Sequence, residues 1–239
     1  MTESSPALVQ DKGLIARAVG IVTAPGETFR TVVSFPRPAL ILLLVCAVIS
    51  LATALPQFTE RGRLAALEMQ VQQTERFLPV TPEMYEGMER NSHYGKYISL
   101  VGTFVALPIG TLLFTAIFWA VFNAILGGTA TFKQVLGIVA HSQVIAALGA
   151  LVSAPIQLAQ GTMTTVGPFN LGALAPMLEP GTFLANFLGS LGVFQIWGTI
   201  VTAIGLGVLY NRKPRNIAIT LLVITAVFAA GWAYFTSGR

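Results

Sequence analysis

Residues 122–155 read FNAILGGTATFKQVLGIVAHSQVIAALGALVSAP, and this stretch is the centre of the chain's apolar half. It contains the end of one apolar segment, a short turn rich in Gly and Thr, and a second apolar segment that carries His141, Ser142 and Gln143. No charged residue occurs anywhere from position 99 to position 132. Two such segments joined by so short a turn predict a helical hairpin that crosses a lipid bilayer.

The composition of the whole chain supports a membrane address. Charged residues make up 10% of the 239 residues, against roughly 25% in soluble domains. The net charge of +4 lies outside the apolar runs, and no basic stripe is interleaved with aromatic residues, so nucleic acid is not an expected partner. The single cysteine, Cys46, lies within an apolar run and forms no intramolecular disulfide.

Five apolar segments predict an all-α, polytopic membrane protein built as a bundle of five transmembrane helices. Each segment offers around 20 residues, and at about 1.5 Å per residue this length matches a hydrocarbon core of roughly 30 Å. His141 and Gln143 interrupt the third segment, and Pro108 is the natural bend of the second. The membrane domain, residues 39–239, has its predicted spans at about 39–55, 98–126, 134–158, 184–210 and 216–235.

Two segments are predicted to lie outside the bilayer. Residues 1–38 are interpreted as a cytoplasmic N-terminal arm of amphipathic helices that rest on the membrane surface. Residues 56–97 form a polar insert in which apolar residues recur at three- and four-residue steps, and Thr81-Pro82-Glu83 is typical of a second helix start. The insert is therefore predicted to be a helical hairpin that covers one membrane face.

The distribution of Lys and Arg predicts the orientation. An odd number of spans places the N-terminus on the same side as the turns after the second and fourth spans, and basic residues are concentrated there. The insert dilutes its basic residues with six Glu. Because basic residues near span ends remain in the cytoplasm, the chain is predicted to be a multi-pass inner (plasma) membrane protein with a cytoplasmic N-terminus and an external C-terminus. The cytoplasmic basic residues would be Lys12, Arg17, Arg30, Arg37, Lys133, Arg212, Lys213 and Arg215.

Three stretches resemble the YIP family, the five-span membrane proteins named for interaction with Ypt/Rab GTPases. They read TAPGETFRTVVSFPRP (residues 23–38), GGTATFKQVLGIVAHSQV (127–144) and LGSLGVFQIWGTIVTAIGLG (188–207). The resemblance implies a five-helix bundle with a cytosolic N-terminus, and in eukaryotic members a link to Rab binding and vesicle traffic. The short N-terminal arm and the large insert depart from those members, so the chain looks like a prokaryotic relative. The family offers no catalytic residue to map onto this sequence.

His141 and Gln143 are the centre of a candidate intramembrane polar site. An ionisable side chain within a span costs about 2.5–3.5 kcal/mol unless it is paired or faces water, which makes it a functional candidate. Asn123, Asn186 and Gln195 are candidate polar partners from neighbouring spans. Two interpretations stay open: an imidazole that relays protons or binds an anion, and a neutral imidazole that is hydrogen-bonded to a neighbouring helix.

A second pattern indicates close helix packing. Thr199, Ala203 and Gly207 follow one another at four-residue steps, which lets two helix backbones approach closely, either within one copy of the chain or between two. Phosphate-binding glycine loops, zinc motifs and nucleophile elbows are missing from the sequence, and the two histidines, His93 and His141, lie far apart. The sequence therefore predicts no enzyme, no cofactor and no metal.

Two functions remain for comparison with the structure. The first is an integral membrane protein of the YIP type that acts through lipid or protein contacts, with the lipid bilayer and a protein partner or a second copy of the chain as its partners. The second is a small-molecule or ion transporter, or a channel, with a path beside His141. A polar cavity that reaches His141 favours the second function, and a dry, tightly packed interior favours the first.

Overall fold

The computed structural model describes residues 13–164 and 166–237, and this part of the chain is built from helices. The first twelve residues of the predicted arm and the extreme C-terminus lie outside the described residues. The helices are α1 (Leu14–Thr23), α2 (Pro25–Ser34), α3 (Pro38–Ala54), α4 (Glu60–Glu75), α5 (Pro82–Ser92), α6 (Gly95–Trp119), α7 (Phe132–Ser142), α8 (Val144–Gln160), α9 (Phe183–Gly189), α10 (Val193–Leu209) and α11 (Pro214–Thr236).

Four of the described helical stretches are long and apolar enough to cross a membrane, which confirms the all-α, polytopic class. They are Pro38–Phe58, Gly95–Ile125, Phe132–Gln160 and Pro214–Thr236. The predicted fourth span, 184–210, differs from the others because it is divided into the short helix α9 and the 17-residue helix α10. The sequence pattern predicted one continuous helix there, and the structure has two.

The division between α9 and α10 is stabilised by the loop that precedes α9. Leu171 donates its backbone N–H to Leu191 O at 2.9 Å, and Val193 donates to Phe169 O at 2.8 Å. An interrupted helix leaves backbone groups without intrahelical partners, and at membrane depth protein groups must satisfy them. The loop supplies these partners, so the backbone groups of Leu191 and Val193 stay hydrogen-bonded although the helix is interrupted.

The paired helices α7 and α8 form the centre of the bundle. They follow one another with only Gln143 between them, and they pack on α3 on one side and on α10 on the other. Gly149 lies against Phe194, and Ile138 lies against Gly205, so α10 runs antiparallel to α7 and α8. The stretch 122–155 therefore lies between the apolar cluster on the α3 side of the bundle and the one on the α10 side.

The N-terminal helices pack against the bundle, and their location on the membrane surface stays a prediction. Phe29 and Val32 of α2 are fully buried in the same apolar cluster as Ile138 of α7. Residues Leu14 and Ala18 of α1 pack against the cluster formed by α3, α7 and α8. Part of the apolar side of these helices is therefore covered by other helices, while Ile15 and Val19 of α1 stay exposed.

The insert forms the predicted helical hairpin from α4 and α5. Thr59 and Thr81 cap the two helices, since their hydroxyls accept the N–H groups of Gly62 at 3.1 Å and Met84 at 3.3 Å. The Arg63 guanidinium binds Glu60 at 2.5 Å, and this hydrogen bond lowers the pKa of the Glu60 carboxyl. The hairpin tip reaches α11, where the rings of Phe77 and Trp232 lie 6.1 Å apart.

Candidate functional site

The three sequence stretches that carry the family resemblance meet at one end of the bundle. Gly205 of α10 faces α7 and α2, and a Cβ at this position would lie 2.5 Å from Cγ2 of Ile138 and 3.0 Å from the Phe29 ring. Gly137 of α7 lies against Val32 of α2 in the same way. The small residues of these stretches are therefore points at which three helices make close contact.

Two turns are joined at this end. The Gly127-Gly128 turn needs glycine twice, because Gly127 has a φ of +70° and a Cβ on Gly128 would lie 2.6 Å from the Tyr210 ring. Tyr210, at the end of α10, stacks on Phe122 with ring centroids 4.7 Å apart. The turn after α6 and the turn after α10 thus hold each other in place.

Asn123 completes this connection. Its amide donates to Ala130 O at 2.6 Å, and its carbonyl oxygen accepts the Tyr210 hydroxyl at 2.9 Å. Trp119 donates its indole N–H to the same Ala130 oxygen at 3.0 Å. Asn123 is therefore a structural bridge between the two turns, and neither of these hydrogen bonds involves His141.

The α2 helix is attached to the same end through Gln134. Thr131 and Gln134 form a capping box at the start of α7, and the Gln134 amide also donates to Val33 O of α2 at 3.3 Å. On the other side, Arg212 donates to Leu126 O at 3.0 Å. The N-terminal helices and both turns therefore form one continuous surface.

This surface carries a cluster of exposed cations, which we call the basic end face. Glu27 is the acidic residue of α2 that accompanies them, also exposed. Lys12, which was predicted for the same side, lies outside the described residues, and Arg17 is buried. The cations of the basic end face are Arg30, Arg37, Lys133, Arg212, Lys213 and Arg215.

His141 is enclosed in the bundle interior with no exposed surface. Its Nδ1 lies 2.6 Å from Gly137 O, and because a carbonyl only accepts, Nδ1 carries the proton and donates. Nε2 is buried and has no hydrogen-bond partner among the described residues. Neighbouring Ser142 likewise donates back to its own helix, to Ile138 O at 2.9 Å. The geometry fits a neutral imidazole bonded to its own helix.

Arg17 is a buried group near His141 that the sequence interpretation missed. Its side chain is 2% exposed, it donates to Phe35 O at 2.9 Å, and it lies within electrostatic range of the imidazole. The sequence interpretation named Arg17 only among the cytoplasmic basic residues. The signal that could have found it is its spacing from Leu14 and Ile21, which puts it on their face of α1.

The remaining predicted polar residues do not gather around His141. Gln143 donates to the Thr111 hydroxyl of α6, which itself donates to Leu107 O at 2.7 Å. Asn186 donates to Thr236 O at 3.1 Å, which attaches α9 to α11. Gln195 accepts the Gly192 N–H at 3.5 Å at the start of α10. Gln143 and Asn186 thus join different pairs of helices, and Gln195 caps its own helix.

The predicted packing face on α10 is divided among different neighbours. Ala203 is fully buried, and Gly207 lies against Pro214 at the start of α11. The Thr199 hydroxyl donates back to Gln195 O of its own helix at 2.9 Å. Contact between two copies of the chain through this face stays a prediction.

A cavity of about 760 Å³ lies at the opposite end of the bundle, between α3, α6, α8, α10 and the insert. His141 is not among the residues that line it. Within the described residues, no group of three or more His, Cys, Asp or Glu could hold a metal ion. The interior around His141 is therefore packed, and the open space is at the other end.

Comparison with known proteins agrees with the resemblance in the sequence. The Yip1 domain matches residues 19–235 of this chain. Membrane protein YknW of Bacillus subtilis (strain 168) is 26% identical over 216 residues, which cover 88% of this chain and 87% of that protein. No solved structure matches the chain. The Yip1 match includes all three stretches that meet near the basic end face. Because this match spans most of the chain, the protein belongs to the Yip1 domain family, and a bacterial membrane protein is among its relatives.

Proposed function

We propose that this protein is a non-catalytic integral membrane protein that acts through contacts with lipids or with another protein at the basic end face. This face is cytoplasmic in the proposal, the C-terminus is external, and the α9–α10 pair provides the fifth crossing of an inner (plasma) membrane. The observation that carries the proposal is the convergence of the three family stretches beneath one positively charged surface. Because the residues of these stretches support a surface and do not line a path through the bundle, they favour a contact function.

The charge of the basic end face defines the chemistry of its partner. The exposed cations come from α2 and its link to α3, from the first turn of α7, and from the turn before α11 together with the start of that helix. Anionic lipid headgroups attract such cations by about 1 kcal/mol for each Lys or Arg near the surface. The same charges suit an acidic segment of a protein partner. A second copy of the chain could bind this face only through acidic residues of its own.

Transport beside His141 is the less favoured function. A transport path needs water or substrate to reach the ionisable group from at least one side. His141 is fully enclosed, and the 760 Å³ cavity at the opposite end is lined by other residues. The contact function therefore fits the surroundings of His141 better than a transporter or channel does.

Photo-cross-linking from the two ends of the bundle tests the contact function. A photoreactive phenylalanine analogue is placed at Thr129, which is exposed in the turn beside the basic end face, or at Gln70, which is exposed on the insert. After irradiation in membranes, the protein is purified in mild detergent and its adducts are identified by mass spectrometry. We expect specific lipid or protein adducts from position 129 that position 70 does not give. The same set of adducts from both positions, or none from position 129, would contradict the proposal.

A further inference from the structure

The cavity at the end opposite the basic end face has an uncharged polar lining. Of the described residues that line it, none is Asp, Glu, Lys, Arg or His. Its volume of about 760 Å³ lies within the range of about 300–1,000 Å³ that is typical of sites for small ligands. Apolar residues such as Ile49, Met69 and Phe194 form much of its wall, and Ser, Thr and Gln side chains interrupt them.

Three hydroxyls in this lining are available to a ligand. Most hydroxyls elsewhere in the described spans donate to carbonyls of their own helix, as those of Thr115 and Thr202 do at 2.7 and 2.8 Å; the enclosed Ser50 hydroxyl of α3 does not. Within the described part of the chain, the hydroxyls of Ser99, Thr103 and Ser153 make no such bond. Ser99 and Thr103 are four residues apart on α6, so they share one face of that helix.

Two amides add hydrogen-bond donors to the same wall. The carbonyl oxygen of Gln157 accepts the Thr164 N–H at 2.7 Å, and that of Gln195 accepts the Gly192 N–H. Both amide nitrogens remain as donors beside the unpaired hydroxyls. Polar groups in a low-dielectric environment are costly when they lack partners, so a ligand that satisfies them gains affinity.

We infer that this cavity binds an uncharged polyhydroxyl group, either the sugar headgroup of a neutral glycolipid or a free sugar. Hydroxyl groups both donate and accept, which matches the Ser, Thr and Gln side chains of the lining. An anionic headgroup would lack a countercharge among the lining residues, and an unpaired charge away from water is strongly disfavoured. The inference goes beyond the proposed function, because it concerns the other end of the bundle and holds whatever contacts the basic end face makes.

Calorimetric titration of the full-length protein tests the inference. The protein is purified in a polyoxyethylene detergent, which has no sugar headgroup, and placed in phosphatidylcholine nanodiscs. The probes are a short-chain monoglucosyl diacylglycerol, glucose, and phosphatidylglycerol with the same acyl chains. We expect saturable binding of the glucolipid, and none of comparable strength for phosphatidylglycerol. Glucolipid binding that is at least tenfold tighter than glucose binding identifies a lipid ligand, and equal binding identifies a free sugar.

Isosteric variants locate the site. Thr103→Val and Ser153→Ala each remove one hydroxyl and should weaken binding about 3- to 10-fold, the loss of one neutral hydrogen bond. Thr220→Val is the matched control, because Thr220 is exposed on α11 and does not line the cavity. Ala150→Phe keeps every hydroxyl but fills the cavity, so it should abolish binding while the melting temperature is retained.

Three results would overturn the inference: no saturable binding of either neutral probe, equal binding of phosphatidylglycerol, or unchanged binding in the Ala150→Phe variant. An equal loss in Thr220→Val and Thr103→Val would also overturn it, because the cavity hydroxyls would then have no special role. None of these results depends on the photo-cross-linking at the basic end face, so the two proposals fail separately.

Discussion

Replacing Gly205 with Ala is expected to lower the free energy of unfolding by about 1–3 kcal/mol. The new methyl group would lie 2.5 Å from Cγ2 of Ile138 and 3.0 Å from the Phe29 ring, and both residues are fully buried. Because neighbours on two helices confine this position, α7, α10 and α2 must separate to admit it. The variant tests directly whether the family stretches form a packed junction.

Gly231→Ala is the matched control for this change. Gly231 is also a helical glycine in a membrane-spanning helix, but a Cβ at this position meets nothing within 4 Å. Alanine has the higher helix propensity, so this variant should be as stable as the original or slightly more stable. Thermal melting in detergent measures both, and about 2–4 °C of change is expected for each kcal/mol. Equal melting temperatures for the two variants would contradict the packed junction.

The second large effect is expected at His141, where the stability should depend on the volume of the side chain and not on its ability to ionise. His141→Ala leaves a buried space and should cost about 2–4 kcal/mol, as other large-to-small changes in packed interiors do. His141→Leu fills a similar volume and removes the unpartnered Nε2, which offsets the lost bond to Gly137 O. The leucine variant should therefore stay within about 1 kcal/mol of the original protein.

Unfolding in detergent at neutral pH measures the stability of both His141 variants, and the adducts from position 129 report on function. We expect His141→Leu to keep both the melting temperature and the adducts. Loss of the adducts in a stably folded leucine variant would show that the imidazole has a chemical role, and would restore the transporter interpretation. A leucine variant as unstable as the alanine variant would contradict the packing interpretation.

The class of the fold could be predicted from the sequence because apolar length and charge depletion are local properties. The insert was predicted well for a similar reason, since Thr81-Pro82-Glu83 contains its own capping and helix-start signals. The division between α9 and α10 could not be predicted in this way. It depends on hydrogen bonds from residues 169–171, which lie about twenty positions earlier in the chain, and no local pattern records them.

The candidate site shows the same limit. The sequence singles out His141 as an ionisable residue in a span, and the structure buries it, but the positions of its predicted companions depend on tertiary structure. Asn123 joins two turns and Asn186 joins α9 to α11. A polar residue within a span therefore indicated that a hydrogen bond forms, but it did not indicate which group is the partner. Arg17 was missed because a charged side chain in an amphipathic arm is ordinarily exposed.

Cysteine labelling from the two sides of the membrane tests whether the basic end face is cytoplasmic, as proposed. The natural Cys46 is buried, so single cysteines can be added at Thr129 and at Gln70 without removing it, and neither change alters a charge. With a membrane-impermeant maleimide on intact spheroplasts, we predict labelling of Gln70→Cys and no labelling of Thr129→Cys until the membrane is permeabilised. Labelling of Thr129→Cys in intact spheroplasts, with Gln70→Cys protected, would show that the basic end face is external and would overturn the proposed orientation.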